Sequence, residues 1–219
     1  TVDLDGKVQR TYRVNRENAL YFDNRFIVGD EVIGDGAQTL TISVKGSGTL
    51  YYAAYLQYFS LEEDIKGGGN EIFVNRRYFK LTPRLVEKKA DGRTWRELAY
   101  DRTELPSGSH LESGDLVEVE LVIDAKNNYE YLVFEDMKPA GCEPVEVRSG
   151  RTAGEGAGLY PYIELHDDKV AIFLSNMPQG TRAVRYRLRA EIPGSFHGLP
   201  TNGYSMYAPE VRCLSDEWR

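Results

Sequence analysis

The chain has 219 residues, with 27 basic against 34 acidic side chains and a net charge of −7 at pH 7. A hydrophobic share of 41%, with 21 glycines besides, gives a globular composition with enough chain for a core, and excludes a disordered or fibrous polymer. The acidic balance and the dispersal of Lys and Arg argue against the clustered positive surface that nucleic acid demands, and no apolar run is long enough for a membrane-spanning helix.

Fifteen tyrosines, 8 phenylalanines and 9 prolines favour strands joined by turns, and alternation of period two runs through most of the chain. Thr1 to Asp5 lacks a start methionine and has no signal-peptide character, as expected of an excised or processed piece. Val2–Leu4 and Val8–Val14 read as strands parted by Asp5-Gly6, then Leu40–Val44 and Leu50–Phe59 as strands parted by Lys45-Gly46-Ser47-Gly48. Asp3-Leu4-Asp5-Gly6 is similar to the opening of a calcium loop, but the later oxygen ligands are missing and a hairpin turn explains it. Tyr51, Tyr52, Tyr55, Tyr58 and Phe59 fall on both faces of their strand. Packing in a core or between domains is therefore expected, with stacking on sugars as the alternative.

Ser60 to Lys66 is too short to stand as a helix, and Glu62-Glu63-Asp64 reads as a solvated turn. Lys66-Gly67-Gly68-Gly69-Asn70 marks either a domain boundary or a loop tip, because three glycines lose backbone entropy that an element interior does not tolerate. Ile72–Leu81 is an aromatic strand apolar on both faces, and Asp91-Gly92 and Ser113-Gly114 are further breaks. Val117, Val119, Leu121 and Ile123 alternate with Glu118 and Glu120. Gly150 to Gly158 is a flexible inter-strand loop in which no Lys-Ser/Thr follows the glycines, so a phosphate cradle is discarded. Val184, Tyr186, Leu188, Ala190 and Ile192 form one face of a half-buried strand. On its other face Arg185, Arg187 and Arg189, with Arg182 nearby, are expected to be solvated; an acidic partner surface is the alternative.

Little of this is chemistry. His110, His166 and His197 are scattered beside turn residues, with no HxxxH or HExxH spacing. His166-Asp167-Asp168 is the most suggestive trio and all that supports a metal-dependent hydrolase, yet a polar hairpin between Tyr162–Leu165 and Val170–Leu174 accounts for it. No serine sits in GxSxG, and neither Cys142 nor Cys213 neighbours a histidine; the two cysteines either pair or both stay free. No catalytic residue, metal ligand or cofactor site is expected. The residues alone describe an all-β, antiparallel sandwich chain, a binding or architectural module.

Three ordered stretches carry a resemblance. Tyr129 to Pro144, reading YEYLVFEDMKPAGCEP, resembles a strand followed by an acidic residue and a Pro-Ala-Gly-x-Glu turn, with Val145–Val147 starting the next strand. Tyr186 to Phe196 ends in a P-G-x-F turn, and Met206 to Arg212 contains M-Y-x-P-E. Together with Gly46–Tyr52 and Val74–Tyr78, they resemble the C-terminal end of the bacterial alpha-2-macroglobulins, over nearly the whole chain.

That resemblance implies residues 1–68 as the returning part of a CUB-like β domain and 69–219 as the last macroglobulin-like domain, an immunoglobulin-like sandwich. It implies a family of broad-spectrum endopeptidase inhibitors that trap proteases: cleavage of a bait region triggers collapse, and a thioester from a Cys-x-Glu-Gln motif attaches the protease. This chain has no CxEQ, since Cys142 precedes Glu143-Pro144 and Cys213 precedes Leu214-Ser215, so it is not expected to perform the covalent step or to be an enzyme. The implied partners are the thioester domain, the rest of the CUB-like domain and, through the full-length protein, target proteases. The implied role is shielding of the thioester, with Tyr204 and Tyr207 as candidates. The implied compartment is periplasmic or extracellular, with membrane anchoring through the absent N-terminus as an open alternative, and its oxidising character would permit a Cys142–Cys213 bridge. Such a bridge would contribute roughly 4 kcal/mol, given Cα atoms close enough. The alternative function is a free-standing adhesion or carbohydrate-binding sandwich.

Overall fold

The structure, a computed structural model, describes residues 1–34, 36–57, 64–145, 150–151 and 159–218, the side chains of 150–151 excepted. The chain divides into two compact units, Thr1–Leu56 and Gln57–Arg219. All described strand pairs are antiparallel and no helix occurs among the described residues, in agreement with the all-β expectation.

In the first unit, β1 (Val2–Leu4) pairs with β2 (Lys7–Arg10) and with β3 (Leu40–Ile42). Asp5 and Gly6 both have positive φ, the geometry of the tight hairpin that their sequence predicts. The strands are shorter than expected, ending at Arg10 and Ile42. None of the described residues of 1–56 is buried, and Leu20, Tyr21 and Ile27 are more than four-fifths exposed. A lone three-stranded sheet has no second layer to close an interior. The expected strand at 51–57 is absent: Tyr51, Tyr52 and Tyr55 are 89%, 71% and 61% exposed on irregular chain. Core packing of these tyrosines is therefore corrected; Tyr58, Phe59 and Glu62-Glu63 lie outside the described residues, as do 60–61.

The second unit is a two-layer sandwich. Its strands are β4 (Gly68–Gly69), β5 (Ile72–Ala90), β6 (Arg93–Leu105), β7 (Leu116–Ala125), β8 (Tyr129–Met137), β9 (Cys142–Pro144), β10 (Gly150–Arg151), β11 (Tyr162–Leu165), β12 (Lys169–Met177), β13 (Gly180–Ala190), β14 (Asn202–Ser205) and β15 (Arg212–Leu214). Seven form one sheet in the order β10-β11-β12-β8-β14-β15-β4, and five the other in the order β6-β5-β7-β13-β9. Alternation works as the sequence requires: Val117, Val119, Leu121 and Ile123 of β7 and Val184, Tyr186 and Leu188 of β13 face Leu132 and Phe134 of β8 and Val170, Ile172 and Leu174 of β12 in one core.

β5 runs nine residues past its expected end. Its pairing with β7 stops at Leu81, while pairing with β6 continues to the Asp91-Gly92 turn, whose φ angles of 49° and 72° suit that dipeptide. Residues 82–100 thus form a two-stranded arm beyond the sandwich. The Gly67–Gly69 run lies in the second unit, where β4 pairs with β15 and a Cβ on Gly69 would strike the carbonyl of Ile72. Val145 N–H donates to the Arg187 carbonyl at 3.1 Å, while 146–149 and 152–158 lie outside the described residues.

Candidate functional site

The outer face of the seven-stranded sheet is where the expected tyrosines lie. Register places Tyr162, Phe173, Val133, Tyr204 and Arg212 opposite one another across five strands, so all five share a face. Tyr162 and Phe173 rings stand 6.1 Å apart, and Tyr204, half-buried, flanks Val133. Beside this row Lys169 donates to Glu135 at 2.5 Å, and that bond holds the ammonium charged to higher pH than an ordinary lysine.

The M-Y-x-P-E segment follows β14 as a tied turn. Ser205 N–H donates to the Val211 carbonyl (3.0 Å), Val211 N–H to Ala208 (2.8 Å), and the Asn70 amide to the Glu210 carbonyl (2.6 Å). The tie holds Tyr207 outward at 77% exposure, its ring edge-on to Tyr131 at 5.2 Å and 86°. Tyr131 has φ of 55° within β8, a left-handed conformation uncommon for a bulky residue, and its carbonyl accepts from Met206 N–H at 2.9 Å. Strain of this kind, of order 1–3 kcal/mol, concentrates at binding surfaces. Sequence offers neither Tyr131 nor Asn70 as a site residue, since neither a left-handed φ within a strand nor a contact across 140 residues leaves a local signal.

The other two familiar motifs meet at the opposite end of the sandwich. The Phe196 ring of the P-G-x-F turn fills the space where a Cβ on Gly141, in the Pro-Ala-Gly turn, would sit, and it leaves none at Gly194 either. Next to them a cavity of about 300 Å³ is lined by Leu105, His110, Leu188, Ile192 and Trp218 among others. Between the sheets, Asp136 accepts from Arg76 Nη1 (2.6 Å), Tyr186 Oη (2.5 Å) and Thr201 Oγ1 (2.8 Å), while Arg76 also donates to the carbonyls of Gly198 and Leu199 (2.7 Å each). Both ionic side chains are within 1% of full burial, and the node pins the 198–201 crossover to the core. Burial, then the Asp136 carboxylate, keeps the Tyr186 phenol protonated far above its ordinary range.

Cys142 and Cys213 are buried free thiols in different sheets, in β9 and β15. Burial pushes the Cys213 thiol up to about 12 and raises Cys142 as well. His166 lies in the expected hairpin turn and contacts Glu164 at 3.3 Å; His197 contacts Glu217 at 3.2 Å. Among the described residues no cluster of three His, Cys, Asp or Glu side chains is placed to hold a metal, and no helix is long and apolar enough to cross a membrane.

The arginine face departs from expectation. Arg185 reaches Glu120 at 2.7 Å, and Arg187 lies 4.0 Å from Glu118. Both carboxylates are nearly buried, so this face is an ion-paired layer rather than a freely solvated one. The physical reason is register: Arg185 and Arg187 sit directly opposite Glu120 and Glu118.

Comparison with solved structures finds the same fold in Salmonella alpha-2-macroglobulin reacted with methylamine, at TM-score 0.50 and 21% identity over 72% of this chain and 10% of that one. Native Escherichia coli alpha-2-macroglobulin spanning domain MG7 to the C-terminus matches at TM-score 0.49 and 23% identity, over 69% of this chain and 24% of that one. The trypsin-activated E. coli protein matches at TM-score 0.48 and 20% identity, over 70% and 10%. The chain therefore spans about a tenth of the Salmonella and trypsin-activated E. coli chains, and about a quarter of the piece that begins at MG7. Comparison with curated proteins gave no match. The family model described as the bacterial alpha-2-macroglobulin MG10 domain matches residues 72–210, from the first strand of the five-stranded sheet through the tied turn. With more than half of its residues in that match, the chain belongs to the bacterial alpha-2-macroglobulin MG10 domain family.

Proposed function

We propose that this chain is a non-catalytic part of a bacterial alpha-2-macroglobulin-like endopeptidase inhibitor, working in the periplasm or outside the cell. In this reading the sandwich, residues 69–219, packs its outer aromatic face against the thioester domain and keeps water and amines from the thioester until a protease cleaves the bait region. Tyr207, in the turn after β14, is the shielding group, and Tyr204 of β14 is its neighbour in the chain. The observation that carries the proposal is the 77% exposed Tyr207 ring, held edge-on against the strained Tyr131 by a turn with no slack. An aromatic fixed outward in this way loses little conformational entropy on docking. Residues 1–68 are proposed as the returning part of a CUB-like domain, whose remaining strands would cover the open sheet and Tyr51, Tyr52 and Tyr55. These tyrosines also suit a carbohydrate-binding module, but they stand on irregular chain rather than on a rigid platform.

The test is the rate at which methylamine releases a free thiol from the full-length parent protein. Tyr207→Ala is expected to accelerate release about tenfold or more, with Tyr207→Phe retaining most of the protection, since loss of a close-packed aromatic shield is worth at least about 1.4 kcal/mol. Equal rates for parent and Tyr207→Ala would sink the shielding role.

A further inference from the structure

The outer face of the five-stranded sheet carries an arrangement that thioester shielding does not use. Register sets Arg77, Glu120 and Arg185 in one row, Glu104, Phe79, Glu118 and Arg187 in the next, and Arg102, Leu81, Leu116 and Arg189 in a third. Glu120 receives Arg77 at 2.5 Å, Arg185 at 2.7 Å and Arg102 at 3.1 Å, and Arg102 also reaches Glu118 at 2.8 Å. The two carboxylates are 3% and 10% exposed, whereas the side chains of Arg77, Arg102, Arg185 and Arg187 are 30–45% exposed. Acid lies beneath and base on top. Burial alone would push the Glu120 carboxyl up, but hydrogen bonds from Arg185 and Arg102 outweigh it and hold it ionised. Five arginines stand over Glu104, Glu118 and Glu120, and Glu143 beside Arg189 is matched by Lys138 at 3.1 Å. Among the described residues these three rows thus hold two more positive than negative charges, on a chain whose net charge is −7, while Asp124 stands farther along the same face between Phe73 and Thr181.

The arm extends this surface with apolar area. Leu85 and Leu98 lie directly opposite each other, 67% and 52% exposed, next to the Pro83–Tyr100 pair, and Arg187 stands 5.0 Å over the Tyr100 ring.

We propose that this face docks a carboxylate-rich protein segment, whose Asp and Glu side chains take the outward N–H groups of Arg77, Arg102, Arg187 and Arg189 while its apolar side chains cover Leu85 and Leu98. The planar guanidinium fork matches a carboxylate in two-point fashion, and the buried glutamates beneath fix the arginine heads before a partner arrives. Exposed arginine and tyrosine around a patch with its acids buried match the enrichment of Arg and aromatic residues at protein interfaces. An excess of two charges is small for a nucleic-acid footprint, which gains its affinity from many released counterions.

The probe is a fluorescein-labelled peptide of glutamates interrupted by two leucines, titrated into the whole 219-residue chain and read by anisotropy. Saturable one-to-one binding is expected, weakened about tenfold by Arg189→Glu and by Leu85→Ser combined with Leu98→Ser, and unchanged by Arg16→Glu in the first unit. Arg102→Glu risks the fold because it would crowd three acids, whereas Arg189→Glu lies at the exposed rim, and far-UV circular dichroism verifies that each variant is folded. No binding, equal binding by Arg189→Glu, or tighter binding of a DNA oligonucleotide of equal charge would each overturn the proposal. The measurement needs no thioester, so its failure leaves the shielding role untouched.

Discussion

Asp136 shows how much one side chain decides in this sandwich. It is fully buried and satisfied by Arg76, Tyr186 and Thr201, three groups from three different parts of the chain. Asp136→Ala leaves the Arg76 charge buried without its partner, and is expected to cost about 3–5 kcal/mol in urea unfolding followed by tryptophan fluorescence. Asp136→Asn, which keeps an acceptor oxygen, should cost less. Cys213 is a second residue whose environment has a measurable consequence. The folded chain keeps its thiol proton up to about pH 12, and the unfolded chain releases it near 9.0. Between those values the native state binds more protons, so stability declines as pH rises, by up to about 1.4 kcal/mol per pH unit. Urea midpoints should therefore fall less steeply between about pH 8 and 10.5 in Cys213→Ala than in the parent chain. The comparison between variants removes the parallel contribution of the buried Tyr78 and Tyr186 phenols, which burial also keeps protonated. Ellman's reagent near pH 8 should find both thiols only after unfolding.

Among the elements, β5 has two lives. Up to Leu81 it is a central strand with β6 on one side and β7 on the other; from Thr82 to Ala90 it has β6 alone. Isolated two-stranded ribbons are marginal in water, and the arm is held by cross-strand pairs such as Lys88–Glu97 (2.6 Å) and Arg84–Asp101 (2.8 Å), each exposed and worth little. Hydrogen exchange should accordingly be fast at 84–90 and slow at 72–81 within one strand, a contrast read by peptide-resolved mass spectrometry. Uniform protection along β5 would mean that the arm has a partner the register does not show. The alternation of β7 and β13 was legible in the sequence because each has one face in the core. The length of β5 was not, because Pro83 and the charged run after it look like a strand end, and only pairing with β6 carries the strand onward.

At the scale of the whole chain, the two units illustrate opposite outcomes of the same pattern. Residues 57–219 close two sheets over one core, whereas 1–56 form a sheet in which none of the described residues is buried, although both read as alternating strands. Alternation supplies an apolar face; a second layer has to come from elsewhere in space. The candidate site divides the same way. Tyr204 and Tyr207 could be named from the Met-Tyr-x-Pro-Glu stretch, yet the setting of Tyr207 depends on Tyr131, 76 residues away and held at a left-handed φ within β8.

By itself the sequence determined the strand class, the hairpin turns at Asp5-Gly6 and Asp91-Gly92, the core faces of β7 and β13 and the family resemblance, because each is written in neighbouring residues. Tertiary structure alone decided that the arginine face is ion-paired over buried Glu118 and Glu120, that Cys142 and Cys213 lie in different sheets, and that Phe196 locks the two glycine turns together. These are contacts between strands distant in the chain. Period two says which way a side chain points but not what stands opposite it, and cross-strand register supplies the partner.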